Sequence, residues 1–246
     1  MKRLPVYLLG GFCALASLLA QAGDAPNVDA IRAHAMPATE EPLHIVRADE
    51  PPFVIYTNDL QPAVWTQYHQ HRTDLLAVIA ADTRVAGQVP GEEAKTQNAP
   101  AGAVVFFPYA DSKTPYVHRV GVTGEQPFVN IGVEFHDPLG SQCQGIAPWK
   151  GPGIKATTSN RRGSAYHLQL SSGASALLPT QGRGLLLVPL GDSQPENNLQ
   201  LDSQAWQPAL GDFRFYSDFS KQKNPRPTQI KNSGESSVHM TVFVAC

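Results

Sequence analysis

The sequence predicts an all-β protein built from two barrel-like or jelly-roll domains, and three observations lead there. Apolar residues fall in short, mostly alternating runs, and long stretches at helical spacing are scarce. Glycine (20) and proline (21) are plentiful and punctuate those runs. One pattern of strands and turns occurs twice along the 246 residues. With 42% hydrophobic and 16% charged residues, the chain can bury a core. Its 21 acidic and 19 basic residues contain no long Lys/Arg run, so a nucleic-acid partner is not expected.

The N-terminus reads as a targeting segment (1–22). Lys2 and Arg3 form a positive start, Leu4–Ala20 is apolar or small, and Ala20, Gln21 and Ala22 fit a small-x-small cleavage site before Gly23. The competing reading is an uncleaved membrane anchor; a lipoprotein would need a small residue before Cys13, where Phe12 stands. Cleavage predicts an exported protein, periplasmic or secreted, without stable membrane insertion. It would leave Cys143 and Cys246, a candidate disulfide in an oxidising compartment, against the alternative of two unpaired buried thiols.

Residues 23–42 read as an extended N-terminal arm, 43–138 as a first domain, 139–160 as a Gly/Pro-rich linker or crossover and 161–246 as a second domain. Candidate strands in the first domain are Phe53–Thr57, Val64–His71, Leu75–Ala80, Gly102–Phe107, Tyr116–Val120 and Phe128–Phe135. In the second they include Tyr166–Leu170, Gly184–Leu190, Asp212–Tyr216 and Ser237–Val244. The repeat supports the division. Pro115 through Glu125 lies over Pro225 through Glu235 without a gap, an offset of 110 residues, and Leu75–Asp82 falls on Leu185–Asp192 at the same offset. Gly102 before Phe106 and Phe107 matches Gly211 before Phe213 and Phe215.

His69 and His71 stand two apart in an expected strand, so their imidazoles share one face, turned to the interior. His118 could add a third nitrogen from a facing strand, completing a transition-metal site. A His-x-His pair alone is a weak signal and fits packed or exposed histidines better. Alternation puts Trp65 and Gln67 on the face of His69 and His71, and Tyr116 on that of His118, as pocket candidates; Trp65 and Tyr116 fit barrel core as well. Glu134 reads as outward, opposite Val129, Ile131 and Val133, and His44 and His136 read as isolated.

His69, His71 and Asp74, then Gly102 with five residues between it and Pro108, then His118, together resemble the two motifs of the cupin superfamily. With the repeat, the likeness covers nearly all the mature chain and implies a two-domain (bicupin) protein. It implies that His69, His71 and His118 ligate one divalent transition metal, Fe favoured, with Mn, Ni, Cu or Zn as alternatives. Asp74 is a candidate fourth ligand or a turn residue making local hydrogen bonds. The pattern departs from the family in several places: Asp74 follows His71 closely, a loop (Tyr109–Thr114) precedes His118, and Val122 stands where the family has Asn. At the same offset His69, His71 and His118 fall on Pro179, Gln181 and Thr228, so the second barrel is expected to be degenerate and metal-free. The resemblance implies a metal-dependent, dioxygenase-like oxidoreductase acting on a small organic molecule, or a non-catalytic metal- or metabolite-binding protein. The sequence names no catalytic residue, metal or substrate, and leaves a homodimer open.

Overall fold

The computed structural model describes residues 27–137, 147–191, 198–217 and 227–246. The expected targeting segment and Cys143 therefore lie outside the described residues. Cys246, at the end of the last strand, is disulfide-bonded. Among the described residues no helix is long and apolar enough to cross a membrane.

Where an extended arm is expected, the described residues begin with a short helix, α1 (Val28–His34). Asn27 caps it, its Oδ1 accepting from the N–H groups of Asp29 and Ala30 at 3.0 and 3.2 Å. Asp29 in the first turn and Arg32 and His34 in the last complement the helix dipole. Strand β1 (Met36–Pro37) follows, then a 3-10 turn (Ala38–Glu40). The first barrel continues with β2 (His44–Glu50), β3 (Phe53–Leu60), β4 (His69–His71), β5 (Asp74–Ile79), β6 (Thr83–Gln88), β7 (Lys95–Ala99), β8 (Val104–Phe107), β9 (Tyr116–Val122) and β10 (Phe128–Phe135). The second contains β11 (Ile154–Asn160), β12 (Gly163–Leu170), β13 (Ser175–Leu177), β14 (Gly184–Pro189), β15 (Leu199–Leu201), β16 (Gln204–Trp206), β17 (Arg214–Ser217), β18 (Gln229–Asn232) and β19 (Val238–Ala245). Strand β11 occupies the end of the expected linker and pairs with β12 as β2 pairs with β3.

The duplication is visible in the topology. Sheet order β2-β3-β10-β5-β8 in the first barrel is repeated as β11-β12-β19-β14-β17 in the second. The remaining sheets, β1-β4-β9-β6-β7 and β13-β18-β15-β16, differ by the extra strand β1. Phe128 pairs with Leu60 as Val238 pairs with Leu170, which keeps the offset of 110 across both central strands. The offset slips by one elsewhere. His69 lies opposite His118, whereas the Leu178 N–H donates to the Thr228 carbonyl at 2.8 Å. Leu178, rather than Pro179, thus holds the place of His69 in the second barrel, and it is buried among apolar neighbours.

The sheets β2-β3-β10-β5-β8 and β11-β12-β19-β14-β17 pack face to face, joining the barrels within one chain. Ile55, Leu76, Val78, Ile131 and Val133 of the first share one core with Ala165, Leu186, Val188 and Phe243 of the second. Phe53 meets Phe215 edge-on at 5.1 Å between ring centroids. Both faces of β10 are consequently buried along its whole length, the condition in which simple in/out alternation fails. Val129, Ile131, Val133 and Phe135 face the second barrel, while Asn130 and Glu134 face the interior of the first.

The glycine of the Gly-x5-Pro segment is fixed by this interface. Gly102 has φ +81°, and a Cβ there would stand 2.7 Å from Nε2 of His167 in the second barrel. Its carbonyl accepts from that same nitrogen at 2.9 Å. Gly102→Ala is expected to destabilise the protein by roughly 1–3 kcal/mol, adding left-handed backbone strain to a displaced inter-barrel hydrogen bond. Thermal unfolding checks this; a melting temperature equal to wild type would show that the segment relaxes freely.

Candidate metal centre

The register of β4 and β9 builds the cluster. His69 faces His118 directly across the pair, and His71 lies on the same side two residues on. The three histidines each direct one ring nitrogen into the cluster, and these atoms lie within 4.8 Å of one another. Nε2 of His71 and Nε2 of His118 are 3.1 Å apart, close to the separation of about 3 Å for two nitrogens bound some 2.1 Å from one ion at a right angle.

Two neighbours fix which nitrogens are free. Nδ1 of His71 lies 2.9 Å from Oε1 of Glu134, a carboxylate that only accepts, so Nδ1 carries the proton. Nδ1 of His69 donates to the Gln67 carbonyl at 2.9 Å. Both Nε2 atoms therefore present lone pairs inward, and His118 has at most one proton to offer them. A divalent cation satisfies all three nitrogens at once, so the residues fit a metal of the type that imidazole ligates. Burial, with repulsion from neighbouring imidazoles, pulls His69 down to about 3 and His118 well below the usual histidine range. These rings are neutral, and so available as ligands, at physiological pH.

Glu134, read from the sequence as outward, is buried behind His71 because its side of β10 is the barrel interior. Burial works to raise its carboxyl, but hydrogen bonds from His136 and His71 outweigh that and hold it at about 2. His136 is therefore not isolated: its Nε2 lies 3.3 Å from the second Glu134 oxygen, and that bond raises its own pKa. Nor is His44 isolated. It stacks on Tyr56 (4.6 Å, 6°) and meets His69 edge-on at 4.6 Å, while its Nδ1 donates to the Ala38 carbonyl at 2.7 Å. Burial lowers His44 to about 4. Buried Glu41 accepts from the N–H groups of Leu43 and Gln67, tying the segment before β2 to the one before β4.

Asp74 lies outside the cluster. Leu75, Ala77 and Ile79 line the first barrel's cavity, whereas Asp74, Leu76 and Val78 point the other way, toward the second barrel. Fully buried, Asp74 accepts from Arg161 Nε at 3.0 Å, Arg162 Nε at 2.7 Å and the Ala110 N–H at 3.2 Å. Burial tends to raise its pKa, but the bonds from Arg161 and Arg162 leave it lowered. Its oxygens thus serve the inter-barrel contact, and the alternative of a turn residue with only local bonds does not describe it either.

The histidines open on a cavity of 360 Å³ in the first barrel. Tyr116 lines it, and Tyr109 stacks between Tyr116 (4.7 Å, 12°) and Phe107 (5.3 Å, 9°) while lying 5.3 Å from the His71 ring. Trp65 and Gln67 do not line it. Strand β4 begins only at His69, and before it Trp65 bridges to Gly121 and lies under the Arg119 guanidinium at 4.9 Å. The Gln67 side chain is exposed. In the second barrel the corresponding interior is filled by Leu168, Leu187, Met240, Val242 and Val244.

The sequence matches no family model and no curated protein. Solved structures do resemble it. AerE from Microcystis aeruginosa superposes with a TM-score of 0.54 at 9% identity, over 84% of this chain and 98% of that one. A salicylate 1,2-dioxygenase from Pseudaminobacter salicylatoxidans gives 0.51 at 11% identity, over 82% and 76%. A putative glyoxylate-induced protein from Pseudomonas aeruginosa gives 0.51 at 13%, over 82% and 79%. The repeated sheet order, the shared inter-barrel core and three converging histidines in one barrel give this chain the fold of a two-domain cupin.

Proposed function

We propose that the protein is an exported, metal-dependent oxidoreductase of dioxygenase type that acts on a small organic molecule in its first barrel. The observation that carries this reading is the set of three converging imidazoles opening on a cavity of 360 Å³, within the roughly 300–1,000 Å³ of small-molecule sites. A salicylate 1,2-dioxygenase of the same fold lends support.

His69, His71 and His118 would hold one divalent transition metal, with iron favoured. Bound there, it would supply Lewis acidity and, for iron, a one-electron couple for oxygen chemistry. Glu134 keeps the His71 proton on Nδ1, and Gln67 does the same for His69. The Phe107–Tyr109–Tyr116 stack gives a flat aromatic wall beside the histidines. Burial raises the Tyr109 and Tyr116 hydroxyls above their ordinary range, so both stay protonated and donate hydrogen bonds rather than act as bases.

The test uses protein prepared without chelators or a His tag, analysed for metals as isolated and after anaerobic loading with Fe(II), Mn(II), Ni(II), Cu(II) or Zn(II). About one equivalent per chain is expected, with dioxygen uptake by the iron form over a panel of phenols and hydroxy acids. No metal under any condition would refute the reading. Stoichiometric metal without oxygen uptake across the panel would favour a non-catalytic binding protein. Export is tested separately by fractionating cells that express the full chain and sequencing the mature N-terminus, expected at Gly23.

A further inference from the structure

Two buried carboxamides stand inside the first barrel without an evident structural task. Asn58 and Asn130 face each other across β3 and β10 and both line the cavity. They are 6% and 5% exposed, and neither side-chain oxygen meets a donor among the described residues. Asn130 lies four residues along β10 from Glu134, about 13 Å at 3.3 Å per residue, while Asn58 pairs with His44, whose ring meets that of His69. The surrounding floor is apolar, with Ile79, Val85 and Phe128. Lys95 borders the same cavity, but its ammonium is exposed and lies 3.3 Å from Glu92.

The duplicated barrel shows what the fold itself requires at these places. The offset that matches β3 to β12 and β10 to β19 puts Leu168 where Asn58 stands and Met240 where Asn130 stands, and both pack in the second core. A barrel of this kind closes with apolar residues there. Carrying two unpaired carboxamides in their place is costly unless something bonds to them.

We infer that Asn58 and Asn130 form a recognition subsite for an uncharged hydroxyl or amide group of a ligand held in this cavity. A carboxamide both donates and accepts, and so does a hydroxyl or an amide. A carboxylate accepts only; it would leave the two Asn oxygens unpaired and would meet no cation at this depth. The inference deepens the proposed function and rests on its cavity being the ligand site.

The test titrates zinc-loaded protein with p-cresol, toluene and p-toluate, three molecules of similar shape that carry a hydroxyl, no polar group and a carboxylate. Wild type is expected to bind p-cresol at least about tenfold more tightly than either of the others, the worth of roughly one well-made hydrogen bond to a buried partner. Asn58→Leu combined with Asn130→Met, which copies the second barrel, should abolish that preference while retaining toluene binding and metal content. Should the double variant not fold, Asn130→Ala alone is measured, with thermal unfolding as the control. An unchanged preference in a folded variant, or p-toluate as the best wild-type ligand, overturns the subsite. Should the protein hold no metal, the same titration on metal-free protein separates the two ideas: a retained Asn-dependent preference sustains the subsite while the oxidoreductase reading falls.

Discussion

Asp74→Ala is expected to lower the free energy of unfolding by about 3–5 kcal/mol, the range for removing one partner of a buried ion pair. Asp74 is fully buried and is the acceptor shared by Arg161 and Arg162, the latter only 4% exposed. Arg162 also reaches Asp137, to which Arg183 bonds as well, so the network crosses the barrel interface at several points. Removing the carboxylate leaves the buried Arg162 Nε without its acceptor and the guanidinium with Asp137 alone, and that lost pairing accounts for most of the loss. Chemical denaturation measures it; a loss under 1 kcal/mol would mean that the arginines find other acceptors or water. Because the folded-state carboxyl is lowered, its contribution is complete above the unfolded carboxylate range near pH 4 and is lost as the pH falls through the lower folded value. The gap between wild type and variant should therefore close on acidification below that range, and pairing Asp74→Leu with apolar replacements of Arg161 and Arg162 should recover much of the loss.

The same network explains why the second barrel matters to a site it does not contain. Arg161 bonds both Asp74 and Asp111, and Asp111 ends the short turn that begins at Tyr109. Tyr109 is the middle ring of the cavity's aromatic wall. The second barrel thus holds in place a loop of the first, through side chains on its β11–β12 turn.

Much of the fold was legible because its signals are local. The two-residue period of His69 and His71 places both rings on one face whatever the remaining chain does, and a repeat at constant offset needs only the sequence compared with itself. What escaped depends on distant partners. Glu134 reads as outward if the apolar side of β10 is taken as the barrel interior; that apolar side faces the second barrel, and the side of Glu134 is the interior of the first. His44 and His136 look isolated because the segments that bring them to the cluster are separated from it by loops. Trp65 reads as a cavity residue if Val64–His71 is one strand; the strand begins at His69, and the alternation before it carries no meaning. Asp74 sits at a ligand-like spacing yet on the wrong parity of β5, which only the packing of that strand between two barrels reveals.

His118→Ala should remove stoichiometric metal altogether, since two imidazoles alone leave a divalent ion short of the three protein ligands usual for a reactive site. The more discriminating variants are at Glu134. Val244 occupies its place in the second barrel, so Glu134→Val should be accommodated by the fold, while His71 loses the acceptor that holds its proton on Nδ1. Metal affinity is then expected to fall by about 10–100-fold, the usual cost of removing a hydrogen-bond partner of a ligating histidine. Glu134→Gln keeps an acceptor for His71 but not the charge that raises its basicity, and should lie between wild type and Glu134→Val. Competition titrations with a chelator of known zinc affinity rank the series. If all three proteins bind alike, Glu134 is only filling the barrel, and the His71 tautomer is set by the metal rather than by its carboxylate neighbour.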